Sequence, residues 1–102
     1  MATTVSAKQA VTGPHGEITL AAGERVAMRM WRNEEPNADK PSTRSEHETV
    51  GYVVSGRAEL VLGGETVTLS PGDSYLVPAG TEHTYRILET FTAVEATSPP
   101  AK

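Results

Sequence analysis

His47, His83 and Tyr85 are the side chains of this sequence whose type and spacing best suit proton transfer or metal ligation. An imidazole titrates near neutrality, so a positioned histidine can give or take a proton, and its bare nitrogen can hold a metal ion. The third histidine stands in Gly13-Pro14-His15-Gly16, a turn sequence, and reads as a surface residue. Cysteine is absent, which removes thiolate nucleophiles, a disulfide frame and cysteine-ligated zinc. Serines are frequent, but none stands in a nucleophile elbow, and no phosphate-cradling or dinucleotide glycine pattern occurs.

The backbone around His83 is built to aim it. Gly72 opens a turn, 75–77 forms a short strand, and Pro78-Ala79-Gly80 reverses the chain just before Thr81-Glu82-His83. Proline fixes φ and glycine takes the positive φ of a tight reversal, so the imidazole sits on defined geometry at the head of a strand. Tyr85 lies two residues further along the same face.

The rest of the chain reads as strands and turns. Residues 17–20 are a short strand, and 25–32 alternate, with Val26, Met28 and Met30 on one face and Arg25, Ala27, Arg29 and Trp31 on the other. Residues 33–44 are polar, contain Pro36 and Pro41, and form a loop of the length often found at the mouth of a site. Residues 49–55 are a strand ended by Gly56. Segments 57–62 and 65–70 alternate around Gly63-Gly64, a two-residue hairpin signal. Segments 83–88 and 91–96 complete the set. An all-β, antiparallel barrel with jelly-roll closure follows from such short, regularly punctuated strands. Residues 1–16 read as an N-terminal arm or loop, 17–96 as the single barrel domain, and 97–102 as a flexible C-terminal tail.

Composition sets the outer limits. With 102 residues there is room for one core, and nine glycines with seven prolines suit tight turns. A net charge of −4 argues against a nucleic-acid groove or an anionic membrane surface as partner. No apolar run approaches the ~20 residues of a membrane helix, and the N-terminus has no basic-then-apolar leader pattern, so a cytoplasmic protein is expected.

The spacing from Gly72 through Pro78 and Gly80 to His83 resembles the second sequence motif of the cupin superfamily, in which that histidine ligates a metal. The segment from Val50 to Leu60, with Gly56 within it, resembles the centre of the first cupin motif. Together the motifs cover residues 43–87. The resemblance implies a cupin-like double-stranded β-helix with a site inside the barrel, and a homodimer. It also marks departures. Registered on Gly56, the glutamate ligand position falls on Thr49, and the two histidine positions on Thr43 and Ser45, or on Ser42 and Arg44. The closing asparagine of the second motif is Ile87. His47, two residues before Thr49, shares its inward parity and is the one residue placed to join His83 in holding an ion.

By parity, Thr43, Ser45, His47, Thr49, Gly51 and Val53 face His83, Tyr85 and Ile87 across the interior, and Gly51 is expected to leave empty volume. A pocket with apolar walls and a few polar groups results, the general form of a small-molecule site. Met28, Met30 and Trp31 are further wall candidates. Arg29, Arg44 and Arg86 are the cations that could pair an anionic ligand, with Arg44 the best placed. Three functions remain open: a small-ligand cupin with metal-independent acid–base chemistry at His83, helped by Tyr85; a metal-dependent, dioxygenase-like enzyme holding one divalent ion (Zn, Fe, Mn or Ni) on His47 and His83; and a non-enzymatic sensor or accessory dimer. In the first, His47, Thr49, Gly51, Arg44 and Ser45 contact the ligand. Exposed strand edges make a second copy of the chain the expected partner.

Overall fold

A computed structural model describes residues 3–101 as strands and connecting loops, without a helix. The strands are β1 (Ile18–Ala22), β2 (Ala27–Glu34), β3 (Glu48–Leu62), β4 (Glu65–Leu69), β5 (Ser74–Val77) and β6 (His83–Ser98). All pairings are antiparallel. Residues 1, 2 and 102, at the outer ends of the expected arm and tail, lie outside the described residues.

Two long strands make the jelly roll. The first half of β3 runs between β5 and the second half of β6, whose other edge pairs with β2 and then β1. The second half of β3 runs between β4 and the first half of β6. One pair of strands therefore serves both layers. The sequence divides each of them in two, at Gly56 and again at 89–90, whereas the structure keeps each continuous. At Gly56 the pairing register with β6 shifts and the chain takes φ +82°, a conformation that glycine alone adopts without strain. The extra residue is a bulge, and it bends the strand from one sheet into the other. It also resets parity: Thr49, Gly51 and Val53 face inward before it, Ala58 and Leu60 after it.

The core lies between the layers. Val53, Ala58 and Leu60 of β3 pack with Ile87, Phe91 and Ala93 of β6, joined by Leu69, Tyr75 and Val77. Burial of each large apolar side chain here contributes about 1.5–3 kcal/mol. Thr97, expected in a flexible tail, is instead a paired and buried residue of β6, at 1% exposure. Its hydroxyl accepts a hydrogen bond from the Ala101 amide at 2.9 Å.

β2 divides the expected wall residues. Trp31 lines the cavity with Arg29, Met28 touches it but is 41% exposed, and Met30 does not line it. Asn33, at φ +53°, makes a bulge between Trp31 and Glu34 and donates its amide to the Thr92 hydroxyl. The polar loop that follows is pinned to the edge of β6. Asn37 and Ile87 exchange backbone hydrogen bonds, as do Thr43 and His83, and between them the Thr84 hydroxyl donates to the Lys40 carbonyl.

A Cβ at Gly56 would overlap the Thr90 carbonyl, which is backbone and cannot rotate away. Gly56→Ala is expected to destabilise the protein by about 2–4 kcal/mol, from the positive φ and the clash together, measured by urea denaturation. An unchanged midpoint would show that the bulge does not need glycine.

Candidate functional site

Four strands contribute one residue each to a row across the inner sheet. Arg29 of β2 pairs with Glu95 of β6, Glu95 with Gly51 of β3, and Gly51 with Tyr75 of β5. Gly51 does not leave a void, as parity alone implies: a Cβ there would collide with the Tyr75 ring. The ring crosses over the glycine, and its hydroxyl donates to Glu95 Oε2 at 2.6 Å. Tyr85 donates to the same oxygen at 3.2 Å. Arg29 Nε and Trp31 Nε1 each donate to Glu95 Oε1 at 2.9 Å.

Glu95 is 2% exposed, so its charge would be prohibitive without these partners. Three neutral donors and one guanidinium satisfy both oxygens. Burial first, and then the Glu95 charge, push both the Tyr75 and Tyr85 phenols far above their ordinary range. Both therefore remain protonated and serve as fixed donors.

Above this floor opens a cavity of about 630 Å³, lined by Thr43, Ser45, His47, His83, Tyr85 and Ile87 among others. His83 is anchored by its own turn, with Nδ1 2.9 Å from the Thr81 carbonyl oxygen. A carbonyl only accepts, so Nδ1 carries the proton and the neutral ring keeps its lone pair on Nε2. Tyr85 does not hydrogen-bond to His83. The rings meet edge to face at 6.0 Å, and the phenol proton is committed to Glu95. His47 stands in the bend just before β3, half-buried. Burial and then the neighbouring Arg29 charge hold its imidazole below the ordinary range, outweighing the opposite pull of Glu95.

The structure thus brings His47, His83, Tyr85 and Ser45 to one cavity, as parity implies. Thr49 is buried at 3% and pairs with Val77 and Thr97, below the cavity wall. Arg44 is exposed and does not line the cavity, and Arg86 is on the outside against Glu59, 3.6 Å away. The cations lining the cavity are Arg29, bonded to Glu95, and Lys40, paired with Glu34 at 3.5 Å. His15, read as a surface residue, is exposed but lies at the cavity's rim. Glu95 and Tyr75 were missed altogether. The signal for Glu95 was present: Phe91, Ala93, Glu95 and Thr97 alternate, and all four are buried.

The sequence matches the family profile described as the cupin domain over residues 30–97, about two thirds of the chain. Among solved structures it is similar to an RmlC-like cupin from Shewanella frigidimarina, at 19% identity and a TM-score of 0.86, covering 100% of this chain and 95% of that one. It is also similar to KdgF from a Halomonas species, at 27% identity and a TM-score of 0.71, covering 84% of this chain and 79% of that one. A 47-residue stretch is 36% identical to mouse 3-hydroxyanthranilate 3,4-dioxygenase, covering 46% of this chain but only 16% of that protein's length.

Cupins commonly hold a metal where this cavity lies, and the donor set here does not fit one. A catalytic zinc or iron site needs about three protein ligands. Among the described residues, no cluster of three or more histidine, aspartate or glutamate side chains is arranged to hold an ion. Glu95, the buried carboxylate, has both oxygens occupied by donors, and Arg29 adds a positive charge to the lining of the same cavity.

The lowered affinity of His47 for a proton has a consequence for stability. The unfolded chain takes up a proton on this residue below about pH 6.5, while the folded protein resists it. The contribution of His47 is therefore fully present above that pH and is lost as pH falls further, towards its folded value. The wild-type melting temperature is expected to fall more steeply than that of His47→Gln between neutral pH and roughly pH 5. Parallel curves would show that His47 titrates alike in both states.

Proposed function

The chain belongs to the cupin family, and we propose that it binds a small organic molecule in its barrel and that His83 exchanges a proton with it without a metal. The observation that carries this reading is the contact between His83 Nδ1 and the Thr81 carbonyl, which leaves Nε2 as a fixed base on the cavity wall. The cavity supports it: aromatic and aliphatic walls with a few convergent polar groups are the usual form of a small-ligand site. Tyr85 then serves as wall and as support for Glu95 rather than as the group that orients His83. A cytoplasmic setting belongs to the same proposal, in a chain whose described residues include no helix long and apolar enough to cross a membrane.

The metal-dependent reading draws on the local likeness to a dioxygenase, and the missing third ligand weighs against it. The two can be told apart with chelator-treated protein. Small organic acids and carbonyl compounds that raise its melting temperature would be tested for solvent deuterium exchange at the carbon beside the carbonyl. Wild type is expected to exchange, and His83→Ala to do so about 10²–10⁴-fold more slowly while still binding the compound. Equal rates in the two proteins would remove His83 as the base. Binding without exchange in wild type would favour a sensor, and exchange only after metal addition a metalloenzyme.

A homodimer is also proposed, through the outer face of the β2–β6–β3–β5 layer. Met28, Ala96, Val50 and Leu76 form one cross-strand row on that face, and Tyr52 pairs with Val94 in the next. Val50, Tyr52, Val54 and Leu76 are each about half exposed, and these rows contain no charged residue. A second copy offers the same apolar face about a two-fold axis. Light scattering at micromolar concentration is expected to give twice the chain mass, and Val50→Glu to give the monomer. A monomeric wild type would refute this.

A further inference from the structure

Arg29 uses only part of its donor capacity within the protein. Its Nε is committed to Glu95, but among the described residues neither Nη1 nor Nη2 makes a hydrogen bond, and the side chain is 23% exposed on the cavity wall. The plane of the guanidinium is set from two sides, by the bond to Glu95 and by the Trp31 ring, whose centroid lies 5.3 Å from Cζ. Trp31 is in turn held by its own bond to the same carboxylate oxygen.

Arg29 pairs its charge with Glu95, but only through Nε. Glu95 also accepts from Tyr75, Tyr85 and Trp31, so its two oxygens are satisfied without the Nη groups of Arg29. A second cation, Lys40, has its Nζ 5.8 Å from the centroid of the same Trp31 ring and lines the cavity, paired there with Glu34 at 3.5 Å. The β2 side of the cavity thus carries Arg29 with a free Nη edge beside the Lys40–Glu34 pair, while Phe91, Ile87 and the tyrosine rings supply apolar wall.

We infer that the free edge of Arg29 is a subsite for a planar carboxylate, so that the ligand of this cavity is a small organic acid anchored by Arg29, with its carbon skeleton on the apolar wall and within reach of His83. The inference rests on the reading of the cavity as a ligand site and names the class of ligand it takes. A guanidinium offers two parallel N–H groups on one edge, which match the two oxygens of a carboxylate and not the mixed donor–acceptor pattern of an amide. Glu95 acts here as a positioning residue: it fixes the guanidinium, and the ligand does not touch it.

The test uses benzoate and acetate against benzamide and acetamide, each titrated into full-length protein and followed by NMR. Each acid is expected to bind about tenfold more tightly than its amide, as one charge-assisted bidentate pair requires. Removal of Arg29 alone would leave Glu95 buried without its counter-charge, so the paired variant Arg29→Met with Glu95→Gln is used, with its fold checked by thermal melting. It is expected to lose the preference for the acids. In wild type, the guanidinium nitrogen resonances of Arg29 are expected to shift with benzoate and not with benzamide, a readout that needs no variant. Equal affinity for acid and amide in wild type, resonances of Arg29 that do not respond to benzoate, or a preference that survives in the folded double variant would each overturn the inference. His83→Ala should keep the preference for acids. Failure of the base assignment and failure of the carboxylate subsite are therefore seen in different measurements.

Discussion

A carboxylate at 2% exposure inside a small barrel sets the terms for everything around it. A buried charge is tolerated only where every lone pair is met, and an isolated one would cost several kcal/mol. Glu95 meets that demand with donors from three other directions: Arg29 and Trp31 on β2, Tyr75 on β5, and Tyr85 at the opposite end of its own strand. The network is possible because the residue between Tyr75 and Glu95 is a glycine. Gly51 occupies the strand that separates them, and any side chain there would block the tyrosine from crossing. A position that looks like a gap in the sequence is the passage for a ring.

The two long strands connect this network to the histidine. β6 begins at His83 in one layer and reaches Glu95 in the other, so one strand carries both the aimed imidazole and the buried acid. β3 follows it throughout, bent by the Gly56 bulge, and keeps an apolar inner face on both sides of the bend because the bulge shifts its parity. The polar loop after β2 closes the open edge by hydrogen-bonding to β6 at Ile87 and His83. Backbone pairing, rather than side-chain packing, thus fixes the height of His83 above the floor.

Much of this was legible in the residues themselves. The turn glycines, the Gly63-Gly64 hairpin, the Pro78–Gly80 reversal and the alternation of 49–54 specify an all-β chain with His83 directed inward, because turn chemistry and period-two patterning act locally. Parity also carried His47 and Ser45 to the cavity. What escaped depends on partners distant in sequence. Arg29 and Arg44 look equivalent as isolated cations; only the pairing of β2 with β6 puts Arg29 opposite a buried carboxylate, while Arg44 stays exposed. A glycine opposite an aromatic residue cannot be recognised until the strand register is known. Glu95 is the instructive case, since the alternation of Phe91, Ala93, Glu95 and Thr97 states its direction plainly. A charged residue in an inward position argues against its own strand until four donors can be named for it.

Those donors also bear on how this chain differs from the metal-binding pattern its motifs resemble. In that pattern the histidines and glutamate of the first motif supply negative and neutral ligands to a cation. Here the corresponding positions are small alcohols such as Thr43, Ser45 and Thr49, and the positive charge is supplied from β2 as a guanidinium. A protein-borne cation of this kind cannot accept an electron pair from a substrate as an open metal site does, but it can orient an anion by hydrogen bonds in a fixed plane. Glu95 does for Arg29 what outer hydrogen-bond partners do for a metal ligand: it settles the orientation of the guanidinium. On the proposed reading, the chemistry shifts from ligand exchange at an ion towards proton transfer on a held acid.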